Sequence, residues 1–234
     1  MILAIIPRHD AFQISSHSRK RIFIHHEPLN QLLDKPIKVP DDAKSLHKDG
    51  LEFQQFGRHE EAISCFDKAL EIEPHNAEFL YDKAISLQTM LRFEDAIKYY
   101  DAVLKIESDS FASLINKGLC LSTPSINRQE EALLCFEEAL GIDPDDLGAL
   151  SLKGYSLDSL GRYREAIGCF DKVLEQQPNE LNISVNKGLA LLHLGKYDEA
   201  IAYFDKVLEY EPDNLFASEW KKDAEKMREK DLFS

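Results

Sequence analysis

Long hydrophobic runs are missing from this sequence: no stretch of about 18 apolar residues occurs, so nothing in it reads as a membrane-spanning helix. The opening Met1–Ile6 is apolar but stops at Pro7 with no basic residue before it. It lacks the basic flank, the length and the small-residue cleavage site of a secretory signal. The four cysteines, Cys65, Cys120, Cys135 and Cys169, form no CxxC pair. Catalytic signatures are equally scarce. There is no phosphate loop, no GxGxxG, no GxSxG and no HExxH, since His59-Glu60-Glu61 lacks the second histidine. No enzyme, cofactor or metal is expected from such a chain. Positive charge is also short, with 28 Lys and Arg against 42 Asp and Glu and a net charge of −14. The deficit is uneven: residues 1–42 hold six basic and five acidic residues, and residues 43–234 hold 22 and 37. A body this acidic repels phosphate, which argues against nucleic acid and anionic membrane as partners. Basic or apolar protein partners remain open.

What is present is a globular balance, 44% apolar and 30% charged, too apolar for a chain disordered throughout. It is also internally repetitive. Glu61–Leu70 reads EAISCFDKAL, Glu165–Leu174 EAIGCFDKVL and Glu199–Leu208 EAIAYFDKVL; Asp95–Leu104 (DAIKYYDAVL) and Glu131–Leu140 (EALLCFEEAL) follow the same scheme. The alanines Ala62, Ala96, Ala132, Ala166 and Ala200 are spaced by 34, 36, 34 and 34 residues. Each unit reads as two helices. In the second, the Ala, the aromatic four later and the Ala or Val three after that share one face of a 3.6-residue helix. The first helix has its own small residue, Gly50, Ala84, Gly118, Gly154 or Gly188. A mid-helix Gly costs up to about 1 kcal/mol against Ala, so its recurrence points to close helix crossing. Gly57, Gly161 and Gly195 fall between helices, where a left-handed cap is expected. Pro74, Pro144, Pro178 and Pro212 end the second helices, and Ser108 in that slot predicts a looser turn.

These residues resemble the tetratricopeptide repeat family, whose 34-residue pattern runs W-x2-L-G-x2-Y…A-x3-F…P. Leu150, Gly154, Leu157, Ala166, Phe170 and Pro178 stand at its Trp, Gly, Tyr, Ala, Phe and Pro slots. The resemblance covers five repeats, 43–76, 77–110, 111–146, 147–180 and 181–214. It implies an all-α, right-handed superhelical solenoid. The Trp slot departs from the pattern with Leu46, Leu80, Leu114, Leu150 and Ser184, and repeat three has two extra residues within Thr123–Arg128. Residues 215–231, charged apart from Leu215, Phe216, Trp220, Ala224 and Met227, read as a capping helix that shields the last repeat. Cys65, Cys135 and Cys169 occupy equivalent slots in different repeats. Helix spacing of about 8–10 Å puts them beyond the roughly 7 Å reach of a disulfide, and they read as reduced core thiols of a cytoplasmic protein.

The resemblance implies that the first helices line a concave groove. Transferred slot by slot, the groove side chains are His47, Leu51, Tyr81, Ile85, Ile115, Leu119, Tyr155, Asp158, Val185 and Leu189. Chaperone-binding relatives clamp a carboxylate with Lys and Asn where this chain has His47 and Leu51, so that clamp is absent. The floor is apolar and suits an amphipathic helix or an extended apolar segment. Lys83, Lys117, Lys153 and Lys187 recur at one slot and read as a solvated ridge paired with neighbouring acids. The expected function is a protein-interaction scaffold or adaptor. The alternative is a self-assembling structural protein in which the N-terminal segment of one copy fills the groove of the next. Residues 1–42 read as an extension, partly disordered or docked on the repeats, with Ile22–Leu33 the segment suited to a groove. His9, His17, His25 and His26 match no metal-ligand spacing.

Overall fold

The computed structural model describes residues 42–232, and every regular element among them is an α-helix. In chain order these are α1 (Ala43–Gln55), α2 (His59–Ile72), α3 (Ala77–Thr89), α4 (Phe93–Ile106), α5 (Phe111–Ser122), α6 (Gln129–Ile142), α7 (Leu147–Ser159), α8 (Tyr163–Gln176), α9 (Leu181–His193), α10 (Tyr197–Tyr210) and α11 (Leu215–Leu232). Each helix packs chiefly on those before and after it, the signature of an all-α solenoid. The expectations for the N-terminal extension, for Ile22–Leu33 and for His9, His17, His25 and His26 lie outside the described residues.

The helices start and stop for local reasons. The Asp42, Asn76 and Asp146 side chains accept from the backbone N–H groups of Ser45, Phe79 and Ala149, covering otherwise unpaired donors. The second helix of each pair begins differently. A basic residue at the cap (Arg58, Arg92, Arg128, Arg162 or Lys196) reaches forward to an acid three residues on (Glu61, Asp95, Glu131, Glu165 or Glu199). The acid sits in the first turn, where the helix dipole favours it. Between the two helices Gly57, Gly161 and Gly195 adopt φ of 72°, 73° and 74°. This lets the N–H of the next residue reach back to Phe53, Leu157 and Leu191, as in a Schellman cap. Leu91 (φ 58°) takes the same conformation in the second repeat without the glycine, and Asn127 (φ 51°) does so in the longer turn of the third. The exit turn at Ser108 is as tight as a proline-bearing one. Ser110 donates to the Glu107 carbonyl at 3.2 Å, the distance also found from Asn76 to Glu73. The expected loosening is absent because the backbone bond, not the proline ring, closes that turn.

Within each pair the small residue of the first helix faces the aromatic of the second. A Cβ built on Gly50 or Gly118 would lie 2.5 Å from Phe66 or Phe136, closer than carbon atoms can pack. The second repeat has Ala84 there and Tyr100 opposite, whose hydroxyl donates to Gln88 Oε1 at 2.6 Å. Leu46, Leu80, Leu114 and Leu150 are all buried. Ser184 in the fifth repeat is buried too, with no hydrogen-bond partner for its Oγ. The four cysteines are free and buried, and burial pushes the Cys135 and Cys120 thiols up to about 11 and about 12. Helix α11 closes the stack by burying Ala217 and Ala224, with Trp220 half-buried, on a cluster that includes Leu191, Phe204 and Val207. Among the described residues no helix is long and apolar enough to cross a membrane.

Candidate functional site

The ten groove positions read from the sequence fall on the first helices α1, α3, α5, α7 and α9, and the structure divides them. His47 is buried: its ring stacks on Phe79 at 4.5 Å and tilts against Phe66 at 5.6 Å. Its Nε2 lies 2.6 Å from Asp82 Oδ2, so the imidazole ties α1 to α3. Ile115 is buried in the core between repeats. The others keep surface. Leu51 is exposed, and Tyr81, Ile85, Leu119, Tyr155, Val185 and Leu189 are half-buried. This leaves an interrupted apolar row along the first helices.

Three polar groups mark this row. The Tyr81 hydroxyl accepts from Asn116 Nδ2 at 3.0 Å, and burial raises its pKa. Burial also pushes the Tyr155 hydroxyl up to about 12. Asp158 is half-buried, and its Oδ1 is buried without a hydrogen-bond partner. Burial holds its carboxyl above the ordinary aspartate range. The cause lies in the next repeat. Gln54, at the same slot in α1, donates to Ser86 Oγ at 3.1 Å, but the position matching Ser86 after Asp158 is Ala190, which has no polar side chain.

Sequence reasoning missed the ionisable cluster at the α1–α3 junction. Glu78 and Asp82 stand four residues apart on one face of α3, and His47 lies 35 residues before Asp82 on α1. A ligand atom from each of the three lies within 4.8 Å of the other two. Only the i, i+4 carboxylate pair was visible in sequence; the repeat offset of about one unit supplied the histidine. The lysine slot also differs from a solvated ridge. Lys117, Lys153 and Lys221 pair with Asp101, Glu137 and Asp205 at 2.7, 3.0 and 2.6 Å. Lys83, however, is buried, and bonds to both Asp67 and the Tyr99 hydroxyl. Lys187 repeats the arrangement with Asp171 and Tyr203. These lysines clamp successive helices together.

Comparison with known proteins agrees with the helical-repeat fold. Family models described as tetratricopeptide repeat match residues 54–117, 113–146 and 151–214, together more than half of the chain. No curated protein matches the sequence significantly. Among solved structures the fold is similar to YrrB, described as a TPR protein with an unusual peptide-binding site (TM-score 0.71, 22% identity, 77% of this chain and 92% of that one). It is similar to MamA of Desulfovibrio magneticus RS-1 (TM-score 0.69, 24% identity, 76% and 99%). A tetratricopeptide repeat protein of Parabacteroides merdae also matches (TM-score 0.72, 21% identity, 81% and 75%). At these identities the likeness establishes the fold alone.

Proposed function

The chain belongs to the tetratricopeptide repeat family, and from that premise we propose that it is a protein-interaction scaffold whose first helices receive a peptide or helix of a partner. The observation that supports this most is the row of Leu51, Tyr81, Ile85, Leu119, Tyr155, Val185 and Leu189, none of them fully buried by the fold itself. Apolar side chains spaced along parallel helices suit an amphipathic helix or extended apolar segment. The matching partner has apolar anchors with basic residues among them, because 37 acidic residues face 22 basic ones over 43–234 and the Asp158 oxygen has no internal donor. YrrB, of similar fold, is described as binding peptide. The reading places the protein in the cytoplasm with reduced thiols and assigns it no catalysis.

Affinity capture from native lysate tests this, using the full chain beside a Leu51→Glu/Leu119→Glu/Leu189→Glu variant with unchanged circular dichroism. A partner held by the parent and lost from the variant supports the groove reading. Equal capture by both sinks it. Capture of the chain by itself, lost on removing residues 1–40, transfers the function to self-assembly.

A further inference from the structure

We propose that His47, Glu78 and Asp82 form a binding site for a divalent transition cation of the zinc type at the junction of α1 and α3. One imidazole nitrogen and two carboxylate oxygens converge there, each within 4.8 Å of the others. This donor set suits zinc and cobalt, and its two negative charges match the cation's two positive ones. The histidine is pre-oriented by its stacking on Phe79 and its contact with Phe66. Gln54 holds the backbone beneath Asp82, donating to its carbonyl at 3.2 Å and to Ser86 Oγ at 3.1 Å.

The neighbouring junction shows that the fold does not require ionisable groups at this place. One repeat on, the residues matching His47, Glu78 and Asp82 are Tyr81, Ala112 and Asn116. There a neutral hydrogen bond of 3.0 Å from Asn116 to the Tyr81 hydroxyl makes the same tie. At the first junction the tie is ionisable instead, with a second carboxylate added beside it. No Lys or Arg ion pair to either carboxylate is found among the described residues, although neighbouring acids such as Asp67 have one.

A cation fits between these three groups with little movement. Zinc holds nitrogen and oxygen at about 2.0–2.2 Å, which in a tetrahedron sets them roughly 3.4 Å apart. Nε2 and Oδ2 now stand 2.6 Å apart across a hydrogen bond, so a shift of the Asp82 carboxylate by less than about 1 Å, with release of the bridging proton to solvent, admits the ion. Exposed Glu78 closes the third position from the solvent side. The fourth is open to water or to a donor from a bound partner.

The test titrates the metal-free full chain with zinc chloride by calorimetry and with cobalt chloride by visible absorption. Expected are one site, a cobalt d–d band and a zinc-dependent rise in thermal midpoint. Zinc affinity should fall at least about tenfold in Glu78→Gln and in Asp82→Asn, with the cobalt band and the thermal shift reduced alongside. Glu78→Gln is the informative variant, because Glu78 is exposed and the His47–Asp82 bond survives its loss. A chain with His9, His17, His25 and His26 changed to Gln should retain the site. Unchanged zinc affinity in Glu78→Gln overturns the proposal. So does binding that vanishes with the four N-terminal histidines, which indicates an adventitious ion only. Loss of partner capture without loss of zinc binding assigns the carboxylates to a cationic side chain instead.

Discussion

Gly154 and Gly168 lie on partnered helices, yet an added methyl meets opposite surroundings at the two. At Gly154 it runs into the Phe170 ring, and at Gly168 it meets nothing within 4 Å. Gly154→Ala should therefore destabilise the protein by about 1–3 kcal/mol through overpacking. Gly168→Ala should stabilise it by about 0.5–1 kcal/mol through helix propensity. Urea melts followed by circular dichroism distinguish the two signs. Leu91 presents a related case. It is 65% exposed and holds φ 58°, a conformation that costs a side-chain-bearing residue roughly 1–2 kcal/mol. Leu91→Gly is expected to raise the unfolding midpoint, since little burial is lost. Asp158 predicts a pH effect. A carboxyl with a raised folded pKa favours the folded state only where it is protonated, so its stabilisation fades as pH rises through that pKa. Asp158→Asn should stabilise the protein near pH 7 and make no difference near pH 3, below the unfolded value of about 3.9. The Gly–Phe pairing was legible in sequence because both members recur at a fixed spacing. The strain at Leu91 was not, because leucine announces no turn, and neither was the orphaned Asp158 oxygen, whose cause sits at Ala190.

At the scale of elements, the first and second helices of each repeat were legible from periodicity and caps, whereas the ties between repeats were not. Lys83 reaches Asp67 on the preceding helix and Tyr99 on the following one, each 16 residues away. Burial by itself lowers the Lys83 pKa, but the bonds to Asp67 and Tyr99 outweigh it and leave the pKa raised. A cation with a raised folded pKa stabilises the fold below its unfolded value of about 10.4, and the contribution is lost as pH rises through the folded pKa. Asp67→Asn should therefore cost about 1–2 kcal/mol near neutrality and progressively less in strong alkali. The matching change at Asp101 should cost less, because its partner Lys117 is more exposed, at 23% against 8% for Lys83. Thermal melts of the two variants from pH 7 to about 11 would show the difference.

For the whole molecule, the last repeat depends on α11. Without it the α10 face containing Phe204 and Val207 loses Ala217, Ala224 and Trp220 as cover. A chain ending at 214 should unfold at a lower temperature and gain mass with concentration in light scattering, as an uncapped repeat array does. Equal melting and a constant monomeric mass would show that α11 is not a cap.

The sequence by itself determined the solenoid, its five-fold repetition and the position of most core residues. Those depend on local spacing along one chain: 3.6 residues per turn within a helix and about 34 per repeat. Tertiary structure alone decided which groove-slot residues kept a surface. His47 and Ile115 occupy the same slot as Tyr81 and Val185, yet the packing of α1 on α3 and of α5 on its neighbours buries the first two. It also decided that Lys83 clamps three helices and that His47, Glu78 and Asp82 meet. Such meetings depend on how each helix sits on its neighbours, through side chains 16 to 35 residues apart, beyond the reach of any local pattern.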